Sequence, residues 1–203
     1  MKRMLRDAAI LFVITVIAGA VLGFVYDMTK TPIAEQKAKE KKEACQEVFA
    51  DATEFAVVSG SGDESYAAIA EGGFDKSSIE EVMAAKDSAG NELGYVIIVT
   101  SHDGYGGDIQ FSMGIRADGT LNGVSILSIA ETPGRGMRAE EVLKPQFAQK
   151  QAEAFRYTKA GAALDSEIDA ISGATITTNA VVETVNAGLY YFREVLGGGN
   201  GNG

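Results

Sequence analysis

Hydrophobic positions follow a different rhythm in each part of the chain. Residues Ala8–Tyr26 are apolar except for Thr15 and carry no charge. At 1.5 Å per residue the run reaches about 28 Å, close to the roughly 30 Å hydrocarbon core of a bilayer. It predicts a transmembrane helix. A cleaved signal peptide is the alternative, although the apolar core of a signal is usually shorter, about 7–15 residues. Thr31-Pro32 reads as an N-cap followed by proline at the first helical position. Residues 33–50 then read as a charged helical stalk, with Glu35 and Lys39 spaced to meet on one face. The S-G-S-G-D-E-S stretch over 59–65 reads as a flexible loop.

From Glu80 the period becomes two. Strands are expected over 80–86, 93–101, 108–115 and 120–127. They are separated by Ala89-Gly90-Asn91, by the glycine-rich 103–107 and by the hairpin signal Asp118-Gly119. The period of a helix returns over 139–155, interrupted near Pro145, and again over 179–196. In the last segment Val181, Val185, Leu189, Phe192 and Leu196 form one apolar stripe. The expected class is therefore α+β: an antiparallel meander packed with helices, preceded by one transmembrane helix and a helical stalk. The expected division is 1–7, a cytoplasmic N-terminus; 8–26, the anchor; 27–58, the stalk; 59–196, the domain; and 197–203, a disordered Gly/Asn tail.

Charge narrows the function. The net charge is −10, and without residues 1–26 fifteen basic side chains face twenty-seven acidic ones, which argues against nucleic acid. The single cysteine, Cys45, rules out an intrachain disulfide and any multi-cysteine cluster. The single histidine, His102, leaves no histidine pair for a metal or haem and reads as a surface loop residue. Cys45 reads as inert, and Met83, Met113 and Met137 as core or rim fillers. Any redox cofactor must then be held by other chemistry, and an organic one fits. Basic residues on both sides of the apolar run leave orientation open by the positive-inside count.

Three short motifs carry the candidate chemistry. Asp169-Ala-Ile-Ser172-Gly173-Ala174-Thr175, followed by Thr177, is a side-chain-poor turn feeding a helix start placed at Asn179. Such a turn offers backbone N–H groups and the positive end of a helix dipole to an anion. Glu131-Thr132-Pro133-Gly134-Arg135-Gly136 follows the last strand as a turn whose glycines suit close approach to a flat ligand. Gly104-Tyr105-Gly106-Gly107 precedes a core strand. In their order along the chain the three motifs resemble those of the FMN-binding domain family, which includes the G subunit of the Rnf ion-translocating oxidoreductase.

The resemblance implies that Thr175 carries FMN through a phosphoester bond, with Asp169 part of the flavinylation motif. It implies a cofactor site of Ser172, Gly173, Ala174, Thr177, Glu131, Thr132, Gly134, Arg135 and Tyr105. Arg135 departs from the leucine common in the family, and a guanidinium there would stack on the ring or stabilise an anionic reduced flavin. The function implied is electron transfer within a membrane complex that couples ferredoxin and NAD to sodium or proton translocation, with no stand-alone catalysis by this chain. Partners implied are the other membrane subunits and a flavin transferase. The soluble domain is implied to lie outside the cytoplasm. The C subunit of a sodium-pumping NADH:quinone reductase, and an anchored anion- or flavin-binding module without redox turnover, are the alternatives.

Overall fold

The computed structural model describes residues 2–60 and 62–198. The predicted tail over 197–203 lies outside the described residues except for Gly197 and Gly198. Contacts divide the chain into two units, Met1–Lys42 and Glu43–Gly203.

The first unit consists of most of helix α1, Lys2–Val48. Its apolar run is exposed along its length, with Phe12, Leu22 and Phe24 among its large bare side chains. Such a surface is stable in lipid rather than in water, and its backbone is satisfied within the helix. The hydroxyls of Thr15 and Thr29 donate to the carbonyls of Leu11 and Val25, each at 2.9 Å. Pro32 does not begin a new helix, as expected from Thr31-Pro32, but lies inside α1. Proline costs one N–H and one i→i−4 bond. The alanine, glutamate, glutamine and lysine that follow are strong helix formers, and Gln36 Nε2 donates to Glu40 Oε1 at 2.9 Å.

The second unit is built on a five-stranded antiparallel sheet in sequential order: β1 Glu54–Gly60, β2 Ser77–Lys86, β3 Glu92–Ser101, β4 Ile109–Arg116 and β5 Leu121–Ile129. The α+β class and the meander are as expected. Alternation places Ile109, Phe111, Met113 and Ile115 of β4 on one buried face. Against that face packs the last helix, α4, Thr175–Glu194, through Val181, Val185, Leu189 and Phe192. Each such side chain contributes about 1.5–3 kcal/mol by leaving water. Gly188 lets α4 lie close on the sheet, since a Cβ there would lie 2.1 Å from Met113 Sδ and the methionine would have to shift.

The opposite face of the sheet is covered by the end of α1 and the residues after it. Cys45, Val48, Phe49 and Ala52 pack on Met83, Ala85, Val96 and Ile98. The last carbonyls of a helix lack partners of their own, and here the sheet supplies them. Ser112 Oγ donates to the Ala44 carbonyl at 3.3 Å and Asn122 Nδ2 to that of Val48 at 2.9 Å. Gly114 makes room, since a Cβ would come within 2.8 Å of the Val48 carbonyl oxygen. Glu47 Oε1 meets Lys144 Nζ at 2.5 Å, and Ser125 Oγ donates to Glu47 Oε2. Partial burial acts to raise the Glu47 pKa, but the bonds from Lys144 and Ser125 outweigh it and hold the carboxyl below its ordinary value.

Two segments differ from expectation. Within the loop expected over 59–65, β1 extends to Gly60 and helix α2, Asp63–Glu71, begins at Asp63, while Ser61 lies outside the described residues. The apolar run Phe55–Val58 lacks alternation because β1 is an edge strand with a register shift between Val57 and Ser59, leaving both valines exposed. The compact unit accordingly starts at Glu43 and takes in residues assigned to the stalk.

The helix expected over 139–155 is replaced by a 3₁₀ turn at Gly136–Arg138, a short helix α3, Ala139–Val142, and a second 3₁₀ turn at Lys144–Phe147. Pro145 cannot extend α3. Beyond it Gln149 has φ 56°, and Lys150 pairs in both directions with Leu121 on the edge of β5. Two short parallel strands follow, β6 Arg156–Thr158 and β7 Glu167–Asp169.

Candidate functional site

At one end of the sheet the chain between β3 and β4 and the chain leaving β5 lie side by side, because Ile109 pairs with Ile129. The Ala130 N–H donates to the Asp108 carbonyl at 3.2 Å and extends that pairing. These two loops form one lip of a cleft of about 410 Å³, and the start of α4 forms the other. Tyr105, Glu131, Thr132, Arg135, Gly136, Gly173, Ala174, Thr175, Ile176 and Thr177 line it. The three motifs, far apart in sequence, therefore meet in one place.

The first lip is organised around Glu131, which is only 8% exposed. Its Oε1 accepts the Tyr105 N–H at 2.7 Å. A Cβ on Gly136 would lie 2.6 Å from Glu131 Oε2, one on Gly106 2.2 Å from the Ala130 carbonyl oxygen, and one on Gly104 2.1 Å from that of Gly107. The glycines expected to let a flat ligand approach are thus occupied in closing the protein around a carboxylate. Gly134 serves the turn itself, with φ 75° and the Arg135 N–H donating back to the Thr132 carbonyl at 3.2 Å. Arg135 is exposed at the cleft and makes no ion pair among the described residues.

The second lip begins earlier than expected. Helix α4 starts at Thr175 with Ala174 as its N-cap, not at Asn179. The β-branched T-I-T-T run has low helix propensity, but Thr178 overrides it by tertiary and local bonding. Its buried hydroxyl donates to the Ala174 carbonyl at 2.9 Å and accepts the Ile171 N–H at 3.1 Å. The Ala174 N–H in turn reaches the Ile171 carbonyl at 3.0 Å. Gly173, with φ 77°, supplies the left-handed residue of this turn. The N–H groups of Thr175, Ile176 and Thr177 have no acceptor within the helix. Thr175 is half-buried, Thr177 is 1% exposed, and Thr178 does not line the cleft.

Three expected site residues stand outside the lining. Ser172 and Gly134 are exposed on the turns that shape the lips. Asp169 points elsewhere, its Oδ1 accepting the Ala162 N–H at 2.6 Å. Two lining residues were absent from the expected set. Gly136 lay inside a quoted motif, and Ile176 could have been found as an apolar residue in the first turn of an otherwise polar helix start. Ile176 is 52% exposed and Tyr105 70%, so the cleft presents flat and apolar surface beside its amides. His102 lies below the first lip, its ring nitrogens 3.1 Å from Ser78 Oγ and from Asp108 Oδ1. Met83 and Met113 are buried, whereas Met137 is exposed near the cleft.

The chain is similar in sequence to known proteins. A model of the FMN-binding domain matches residues 104–190, and one of the RnfG N-terminal region matches residues 1–48. The G subunit of the Na(+)-translocating ferredoxin:NAD(+) oxidoreductase complex of Acetobacterium woodii is 34% identical over 197 residues, covering 96% of this chain and 94% of the relative. The G subunit of the ion-translocating oxidoreductase complex of Methanosarcina acetivorans is 30% identical over 192 residues, covering 94% and 95%. Among solved structures, the C subunit of the Na(+)-translocating NADH-quinone reductase of Parabacteroides distasonis aligns with a TM-score of 0.49 at 21% identity, over 70% of this chain and 77% of that one. A likeness at that level does not bear on function.

Proposed function

The chain belongs to the family of G subunits of ion-translocating oxidoreductase complexes, and from that premise we propose that it passes electrons through an FMN held covalently at Thr175. The coarse statement follows from the family: an electron-transfer flavoprotein subunit with an FMN-binding domain, anchored to the membrane as part of a multisubunit redox complex. The finer reading rests on the cleft.

One observation carries the attachment reading. Thr175 stands at the first position of a twenty-residue helix, beside three amides without intrahelical acceptors, and lines the cleft shared by both lips. The residues fit the cofactor. A phosphodiester at Thr175 keeps one negative charge, which a helix N-terminus stabilises by roughly 0.3–1 kcal/mol, more when partly buried. The cleft volume falls in the usual small-molecule range of roughly 300–1,000 Å³. Tyr105 offers a flat ring, Ile176 apolar contact and Arg135 a cation. When bound, the flavin supplies the redox chemistry, while these residues orient it and set its electrostatics. A flavin transferase that moves the FMN moiety of FAD onto the Thr175 hydroxyl, breaking the pyrophosphate with AMP and the hydroxyl proton leaving, is the implied maturation partner, and no stand-alone activity is expected of the chain. The test is acid precipitation of protein matured with such a transferase: the yellow colour should stay in the pellet, and complete release into the supernatant would defeat the covalent reading.

Arg135→Leu should retain the flavin but move its potential. If the guanidinium stabilises an anionic reduced ring, the leucine variant has the more negative potential, and 1.4 kcal/mol corresponds to about 30 mV for a two-electron couple. Redox titration of both proteins decides it, and equal potentials would place Arg135 away from the ring.

The side of the membrane is a separate proposal, the domain lying outside the cytoplasm. Protease added to right-side-out vesicles should digest residues 43–203, whereas full protection would place them inside.

A further inference from the structure

We propose that Gln146 is a positioning residue for the turn that presents Thr175, an inference that rests on the reading of Thr175 as the flavin acceptor. Its side-chain amide acts as a one-residue strand beside β7. Gln146 Oε1 accepts the Asp169 N–H at 2.6 Å, and Nε2 donates to the Asp169 carbonyl at 3.1 Å. A residue in a strand sends its N–H and C=O to the same side. On the other side lies β6, where the Ala170 N–H donates to the Thr158 carbonyl at 2.8 Å. The chain at Asp169–Ala170 is therefore held from both sides, once by backbone and once by a side chain.

The placement matters because Asp169 opens the attachment motif. Its own carboxylate is engaged with Ala162 and does not hold its backbone. Gln146 is oriented from its own turn, its Nε2 also donating to the Val142 carbonyl at 2.7 Å and its N–H to that of Leu143 at 3.0 Å. That turn is reached directly from the first lip through the 3₁₀ segment Gly136–Arg138 and α3. On the far side, Ile171 and Ala174 are pinned to Thr178. Gln146 thus ties the chain leaving one lip to the chain entering the other. With these bonds made, Ser172 and Gly173 stay exposed while Thr175 is held at the helix start. Asp169 is exposed, so water can replace the amide in a variant. The loss falls on register more than on folding, and small misplacements of a reacting group are costly in rate.

The experiment uses the full chain in membranes, matured with a flavin transferase, and follows covalent flavin by intact mass over time. Gln146→Leu should slow attachment about tenfold, leave the Tm of the unflavinylated protein nearly unchanged, and raise amide exchange at Asp169. Gln146→Glu keeps the acceptor for the Asp169 N–H but cannot donate to its carbonyl, and should fall between the two. A merely structural role would lower Tm while leaving the attachment rate of folded protein unaltered. Attachment by both variants at the wild-type rate would overturn the proposal. A wild-type chain that takes up no flavin would instead overturn the acceptor reading, and the proposal with it.

Discussion

The Thr175→Ala chain is expected to fold and to carry no covalent flavin, as read by intact mass and by colour in the acid-precipitated pellet. The substitution removes a half-buried hydroxyl and methyl at the first position of α4. Alanine is the better helix former, and no bond from the Thr175 hydroxyl stabilises the turn among the described residues, so the stability change should stay within about 1 kcal/mol. The neighbouring threonines are not equivalent replacements. Thr178 is fully buried, and its hydroxyl both donates to Ala174 and accepts from Ile171. Thr177 lines the cleft but is 1% exposed. Protein from Thr175→Ala that still carries the flavin mass would move the attachment to another hydroxyl of the cleft wall, with Thr177 nearest in the motif.

Glu131→Ala is expected to be the most damaging change to the first lip. It takes the partner from the part-buried Tyr105 N–H and empties the space that Gly104, Gly106 and Gly136 close around. Losing a part-buried hydrogen bond costs about 1 kcal/mol, and the volume left by a side chain only 8% exposed adds to it. The sum, about 2–4 kcal/mol, is a large part of the 5–15 kcal/mol typical of a domain. It should appear as a lower urea midpoint at unchanged m-value. Glu131→Gln keeps an oxygen for the Tyr105 amide and should lose about 1 kcal/mol or less. An alanine variant as stable as the glutamine one would mean that the carboxylate does not hold the loop.

The sequence was most legible where one physical rule acted alone. Period two located β2 to β5 to within a few residues, since alternate side chains of these strands enter the core that α4 completes. The apolar stripe of α4 and the uncharged run in α1 were equally plain. Legibility failed where tertiary bonds overrule local preference. β1 reads as featureless because an edge strand with a shifted register need not alternate. The start of α4 was displaced because Thr178 supports a run of poor helix formers from inside the fold. At the cleft, the motifs identified which segments would meet, but not that Glu131 is the object the glycines enclose. Nor could the string of letters reveal Gln146, whose partner lies twenty-three positions away.

The roof that α1 places over the sheet has a practical consequence for anyone dissecting the protein. Hydropathy invites a cut well beyond the apolar run, near residue 59, where composition turns to glycine and serine. A fragment beginning there would lack Cys45, Val48, Phe49 and Ala52 and would bare Met83, Ala85, Val96 and Ile98 to water. It would also lack most of β1, so that β2 becomes an open border. Such a fragment should aggregate through its uncovered side. One beginning at Glu43 keeps the roof and should remain monodisperse. The same residues that continue the anchor are a structural part of the soluble half, and the membrane piece can be shed only upstream of them.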